Sequence, residues 1–175
     1  MEYKKKPKYP LKTPRLLITD LNNLPAGMQK IATITEIDNS GAENTHNLFK
    51  NNNFLCWHRS YNFSGKWRFE QYDFPLRVLS WFPKALKGYR TPPAQGGMPA
   101  GAISSGDSDV DGEMLCIQGL FDGGCSLINR SRDEQPISDY CHNPAELMLP
   151  GKFISESGVL EVIEQLGDQY DSGQL

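Results

Sequence analysis

The sequence predicts an α+β fold in which antiparallel, curved sheets pack with two helices. Three observations carry this expectation. Short apolar stretches alternate with polar residues at the two-residue period of half-buried strands. Only two segments, one after residue 73 and one after residue 157, space their apolar residues as a helix does. Finally, Phe54-Leu55-Cys56-Trp57 and Met114-Leu115-Cys116-Ile117 each open a hairpin that leads to a helix, which raises the expectation of a pseudo-duplicated sheet-then-helix unit.

Leu16–Thr19 reads as a first strand and Lys30–Ile37 as a second, with the turn residues 22–27 between them. Residues 42–53 are Asn-rich and polar and read mostly as loop. Phe54–Tyr61 and Lys66–Glu70 form a hairpin about Phe63-Ser64-Gly65, with a bulge or a longer loop as acceptable as a two-residue turn. Asp73 and Pro75 mark a helix start, followed by the stripe Leu76, Leu79, Phe82 and Leu86. Pro83 lies inside that stripe, so the helix is expected to kink or split there. Residues 91–112 are the widest break, rich in Gly and Pro. Glu113–Gln118 and Cys125–Asn129 flank the turn at 122–124, and residues 133–144 read as loop. Leu147–Leu149 reads as a short strand. Val159, Val162, Ile163 and Leu166 mark a terminal helix that begins after Ser157 and stops at Gly167.

The organisation that follows is a flexible basic arm over 1–14, one α+β domain over 15–168 and a polar tail over 169–175. Within the domain, halves 15–90 and 101–168 are joined by the Gly/Pro-rich loop. The chain has 175 residues, of which 38% are hydrophobic, 10% aromatic and 22% charged, a balance that argues against a disordered chain. It contains no run of about 20 apolar residues, so no membrane partner is expected. The basic start lacks the apolar stretch of a secretory leader, and the four cysteines lack a disulfide framework; the cytoplasm is the expected location.

The net charge of −3 hides a division. Residues 1–90 hold fifteen Lys or Arg against seven Asp or Glu, whereas residues 91–175 hold three against fourteen. The halves either neutralise each other or present opposite faces to partners. Eleven of the eighteen aromatic residues fall between 54 and 89, in the same stretch as much of the positive charge. Strand alternation puts Trp67 and Phe69 together, on the core side. In the preceding strand it puts Trp57, Arg59 and Tyr61 on one face, beside Lys66 and Arg68 if that face is displayed; the alternative phase buries Trp57 and Tyr61 as core and leaves only ordinary surface charges. Flat rings interleaved with cations suit a single strand, with bases stacking on the rings and phosphates following the cations.

Asp107, Asp109, Asp111 and Glu113 resemble the first half of a calcium loop, but Gln118 stands where a bidentate Glu is required. They define a weak Ca²⁺ or Mg²⁺ site beside a simpler reading as a solvated acidic turn; otherwise no cofactor is expected. Cys56-x-His58 and Cys141-His142 lack the paired spacing of a zinc site. Neither His46, His58 nor His142 is tied to a nucleophile by a motif, which weighs against catalysis.

The expected function is therefore non-catalytic binding of single-stranded DNA or RNA through Trp57, Arg59, Tyr61, Lys66 and Arg68. One alternative is an interaction or inhibitory module that binds a basic protein partner through its acidic C-terminal half. The other is a divalent-ion-dependent hydrolase.

Overall fold

The computed structural model describes residues 7–13, 16–133 and 144–175. Its strands are β1 (Met28–Ile37), β2 (Glu43–Asn51), β3 (Phe54–Phe63) and β4 (Lys66–Pro75), then β5 (Ser108–Val110), β6 (Glu113–Gly119), β7 (Cys125–Asp133) and β8 (Pro144–Leu149). They form two antiparallel four-stranded sheets of order β1-β2-β3-β4 and β5-β6-β7-β8. Helix α1 (Val78–Arg90) follows the first sheet; α2 (Gly151–Glu156) and α3 (Val159–Asp171) follow the second. The α+β expectation holds, and the meander-then-helix order occurs twice. No helix among the described residues is long and apolar enough to cross a membrane.

Several elements differ from the sequence reading. Residues 43–51, expected as loop, are strand β2. Asn44, His46 and Asn47 are buried there, so polar residues hide the alternation by which a strand is recognised. Leu16–Thr19 joins no sheet; instead the Leu16 carbonyl accepts from Gln71 Nε2, and the Ile18 N–H donates to Gln71 Oε1 at 2.9 Å. Strand β4 runs on to Pro75, which moves the start of α1 from the Asp73 region to Val78. The β3–β4 turn is the two-residue form. Phe63 pairs with Lys66, while Ser64 and Gly65 both take positive φ, of 51° and 76°, as a tight hairpin requires. The 91–112 break contains a single 3-10 turn at Pro93–Gln95 and strand β5.

One helical element spans Pro83 without splitting. Proline has no N–H to offer the Leu79 carbonyl. That carbonyl faces α3, where Gly167 sits inside the helix instead of ending it: a methyl group on Gly167 would lie 2.6 Å from the Leu79 oxygen. The missing side chain thus lets the two helices approach over the deprived carbonyl.

A single apolar cluster joins both sheets to the helices. It includes Ile34, Leu48, Leu55, Trp57 and Phe74 from the first sheet, Leu115, Ile117, Leu127 and Leu147 from the second, and Leu79, Phe82 and Ile163 from the helices. The opposite face of the first sheet is also covered in part, by Ile18 and Leu24 over Met28, Phe49 and Cys56. A buried polar knot ties the sheets together. Arg132 grips Glu113 through Nε and NH2 at 2.8 and 2.7 Å, and Asn129 donates both to Glu113 and to the Asp73 carbonyl of β4. Arg132 also donates to the Thr13 carbonyl, so the N-terminal segment is fastened at the same point.

Gly167→Ala is expected to lower stability by about 1–3 kcal/mol through overpacking against α1. Urea unfolding measures this; an unchanged midpoint would show that the helices have room to separate.

Candidate nucleic-acid interface on the β3–β4 ribbon

Strand β3 alternates as expected, with Leu55, Trp57, Arg59, Tyr61 and Phe63 sharing one face. Cross-strand pairing sets them opposite Phe74, Tyr72, Glu70, Arg68 and Lys66 of β4. The five candidate residues therefore do lie on a common face, but that face is not displayed along its whole length. At Trp57 it turns into the shared core, and the indole is only 1% exposed. Here the displayed phase expected for Trp57 is corrected: both faces of β3 are covered at this end of the sheet, so strand phase alone cannot bring the ring to the surface. Arg59 and Tyr61 are half-buried, whereas Lys66 and Arg68 are exposed.

The transition is marked by a polar row that crosses all four strands. Trp57 Nε1 donates to His46 Nδ1 at 2.9 Å, which selects the imidazole tautomer carrying its hydrogen on Nε2. That nitrogen donates to Glu36 Oε2, also at 2.9 Å. Asn44 Nδ2 donates to the same oxygen at 3.2 Å, and Arg59 NH2 lies 3.2 Å from it. Burial alone would raise the Glu36 carboxyl pKa, but the His46 hydrogen bond and the Arg59 charge hold it below the ordinary range. Arg59 NH1 reaches Glu70 at 3.5 Å, and Glu70 also accepts from the Tyr61 and Tyr72 hydroxyls at 3.0 and 3.1 Å. A cleft of about 280 Å³ opens beside the row, lined by Glu36, Arg59, Lys152 and Phe153 among others. Within the row His46 Nδ1 is occupied and Glu36 is held ionised by its donors. The arrangement fixes these side chains at the edge of the core.

Beyond this row the hairpin outruns its neighbour. The last β2–β3 pair is Thr45 with Ser60, so residues 61–63 and 66–68 pair only with each other as a two-stranded ribbon. On the Arg59 face the ribbon carries Tyr61, Phe63, Lys66 and Arg68. Trp67 lies on the reverse face, and Phe69 stands at the ribbon's base on that same side. Phe63, Trp67 and Phe69 are 60, 61 and 51% exposed. Trp67 and Phe69, expected on the core side, are thus corrected to surface rings, because no element among the described residues covers them. Phe69 is backed by His58, with ring centroids 5.4 Å apart. Burial pushes the His58 pKa down, and its Nδ1 has no hydrogen-bond partner among the described residues. Among those residues, neither Lys66 nor Arg68 forms an ion pair. Sequence alternation found Tyr61, Lys66 and Arg68; it missed the outward rings because β2, whose end defines the overhang, reads as loop.

The acidic candidates are dispersed among separate partners. Asp107 receives Lys8 Nζ at 2.8 Å, the Tyr9 hydroxyl at 2.7 Å and Arg130 Nε at 2.7 Å. Asp109 caps the turn at the Gly112 N–H, Asp111 faces Arg77 at 3.4 Å, and Glu113 is buried against Arg132. Among the described residues no three metal-ligating side chains are gathered for an ion. Cys141 and His142 lie outside the described residues; Cys56 and His58 are buried on the reverse face of β3. The arm expected to be flexible is held, over the described stretch 7–13, by the Lys8 and Tyr9 contacts and by the Lys12 N–H donating to the Ser131 carbonyl at 2.7 Å.

Partial burial would raise the Asp107 pKa, yet the Lys8, Tyr9 and Arg130 hydrogen bonds lower it to about 2. Its stabilising contribution is accordingly complete above the ordinary carboxyl range near pH 4 and is lost as pH falls through about 2. In acid titrations followed by circular dichroism, Asp107→Asn should be less stable than the native chain at pH 6, with the difference closing toward pH 2. An equal difference at both pH values would contradict this.

Neither a family model, a curated protein nor a solved structure matches this chain.

Proposed function

We propose that the protein binds single-stranded nucleic acid, DNA or RNA, along the β3–β4 ribbon and does so without catalysis. The observation that carries this reading is the overhanging hairpin, which exposes Phe63 and Trp67, with Phe69 at its base, around Lys66 and Arg68, cations that form no ion pair among the described residues. Exposed rings of this size are costly on a surface with nothing to cover them. Unpaired bases offer flat apolar faces, and their phosphates offer charges for Lys66 and Arg68. A duplex hides its base faces in the stack, so the rings would have little to engage there. Rings on both sides of the ribbon suit a flexible strand that passes over its edge.

Binding of a basic partner by the acidic half has less free charge to draw on. Lys8, Arg77 and Lys84 already pair with Asp107, Asp111 and Asp171, joining the basic and acidic halves within the chain. The hydrolase reading has no gathered carboxylates among the described residues to support it. A cytoplasmic location remains part of the proposal, supported by the free thiols Cys56, Cys116 and Cys125.

Titrating single-stranded and duplex oligonucleotides of one sequence at several salt concentrations tests the reading. The single strand should bind more tightly, and Trp67→Ala should weaken it by about 1–3 kcal/mol, the worth of one stacked base. Lys66→Ala should reduce the slope of log K against log salt by roughly 0.7, corresponding to one phosphate contact on a single strand. Preference for the duplex, or affinity unaffected by both substitutions, would overturn it.

A further inference from the structure

We propose that Glu36, buried and off the ribbon, is a positioning residue that acts through Arg59 to hold the Tyr61 ring ready for a base of the single strand. The strand contact rests on the function proposed above; the positioning itself belongs to the free protein. Arg59 is suspended between carboxylates on either side of β3, with NH2 on Glu36 from β1 and NH1 on Glu70 from β4. Its Nε is buried without a hydrogen-bond partner among the described residues, so within these the two carboxylates orient the guanidinium. The guanidinium carbon then stands 5.0 Å from the centre of the Tyr61 ring, while Glu70 accepts the Tyr61 hydroxyl. Tyr61 is therefore held at its face by Arg59, which Glu36 helps to orient, and at its oxygen by Glu70.

Glu36 is itself immobilised. His46 and Asn44 donate to the oxygen that holds Arg59, and His46 is fixed by Trp57 on one side and by stacking on Phe153 at 4.5 Å. Core packing is transmitted in this way to a ring at the edge of the core. A ring already held in place loses little side-chain freedom when a base stacks on it, so pre-ordering should appear as affinity. Because the Tyr61 hydroxyl and both Arg59 NH groups are already engaged within the protein, this position should favour stacking over reading of base edges.

The test combines a double-mutant cycle with a measurement on the free protein. Affinity for a single-stranded oligonucleotide is measured for the native chain, Glu36→Gln, Tyr61→Ala and the double variant, well below their melting temperatures. Fluorotyrosine at position 61 reports the ring by ¹⁹F NMR without ligand. Glu36→Gln should weaken binding about tenfold when Tyr61 is present and by less than about twofold when it is absent. It should also shift or broaden the fluorine signal, while Glu36→Asp, which keeps the charge, recovers most of the native behaviour. If Glu36→Gln does not fold, Arg59→Lys reports the same coupling to Tyr61. Equal losses in both backgrounds, or an unchanged fluorine signal, would overturn the proposal. A fluorine signal altered by Glu36→Gln while the native chain binds no strand would leave the positioning in place and overturn both the contact with a base and the proposed function.

Discussion

Glu36, His46, Arg59 and Glu70 cross the four strands of the first sheet as a hydrogen-bonded row, and packing on the inner face changes character at that row. On one side Ile34, Leu48, Trp57 and Tyr72 are buried in the common core. On the other, Tyr61, Phe63, Lys66 and Arg68 ride a ribbon that no third strand among the described residues accompanies. Buried ionised groups are tolerated only with charge partners and hydrogen bonds. Here one Glu36 oxygen gathers an imidazole, an amide and a guanidinium, and Glu70 gathers two hydroxyls and the same guanidinium. The row both closes the core and supports the surface beyond it.

Much of the fold could be read from the chain because strict alternation and turn chemistry are local. Lys66–Glu70, the Ser64-Gly65 turn and the stripe of α3 all have one-dimensional signatures. Strand β2 does not. Its inward positions include Asn44 and His46, which are apolar in neither appearance nor role, and their burial makes sense only once Glu36 and Trp57 stand beside them. Missing β2 had a consequence for the site: without its end at the Thr45–Ser60 pair, nothing in the sequence distinguishes the covered part of β3 from the overhang. Trp67, which alternation puts on the core side, therefore lies outside, and of the two phases open to Trp57 the buried one is found. Tyr61, Lys66 and Arg68 were legible because they lie at the end of the hairpin, where nothing overrides strand phase.

The division of charge between the halves also has a structural use. Pairs such as Lys8 with Asp107 and Lys84 with Asp171 stitch the basic N-terminal half to the acidic C-terminal half. An exposed pair such as Lys84 with Asp171 contributes little, whereas the partly buried Asp107 gathers Lys8, Tyr9 and Arg130. The more consequential tie is the buried Arg132–Glu113–Asn129 knot, which reaches β4 through the Asp73 carbonyl and the N-terminal segment through Thr13. At the ribbon, among the described residues, Lys66 and Arg68 form no such pair and stand beside exposed rings, in a chain whose net charge is −3.

Trp67 gives the most direct view of whether bases stack on the exposed rings, because Trp57 is enclosed and Trp81 packs partly against the core. Adding a single-stranded oligonucleotide at low salt should quench the indole emission, restoring salt should recover it, and Trp67→Phe should abolish most of the change. Emission that does not respond to the strand, or a response of equal size in Trp67→Phe, would contradict a stacking ribbon.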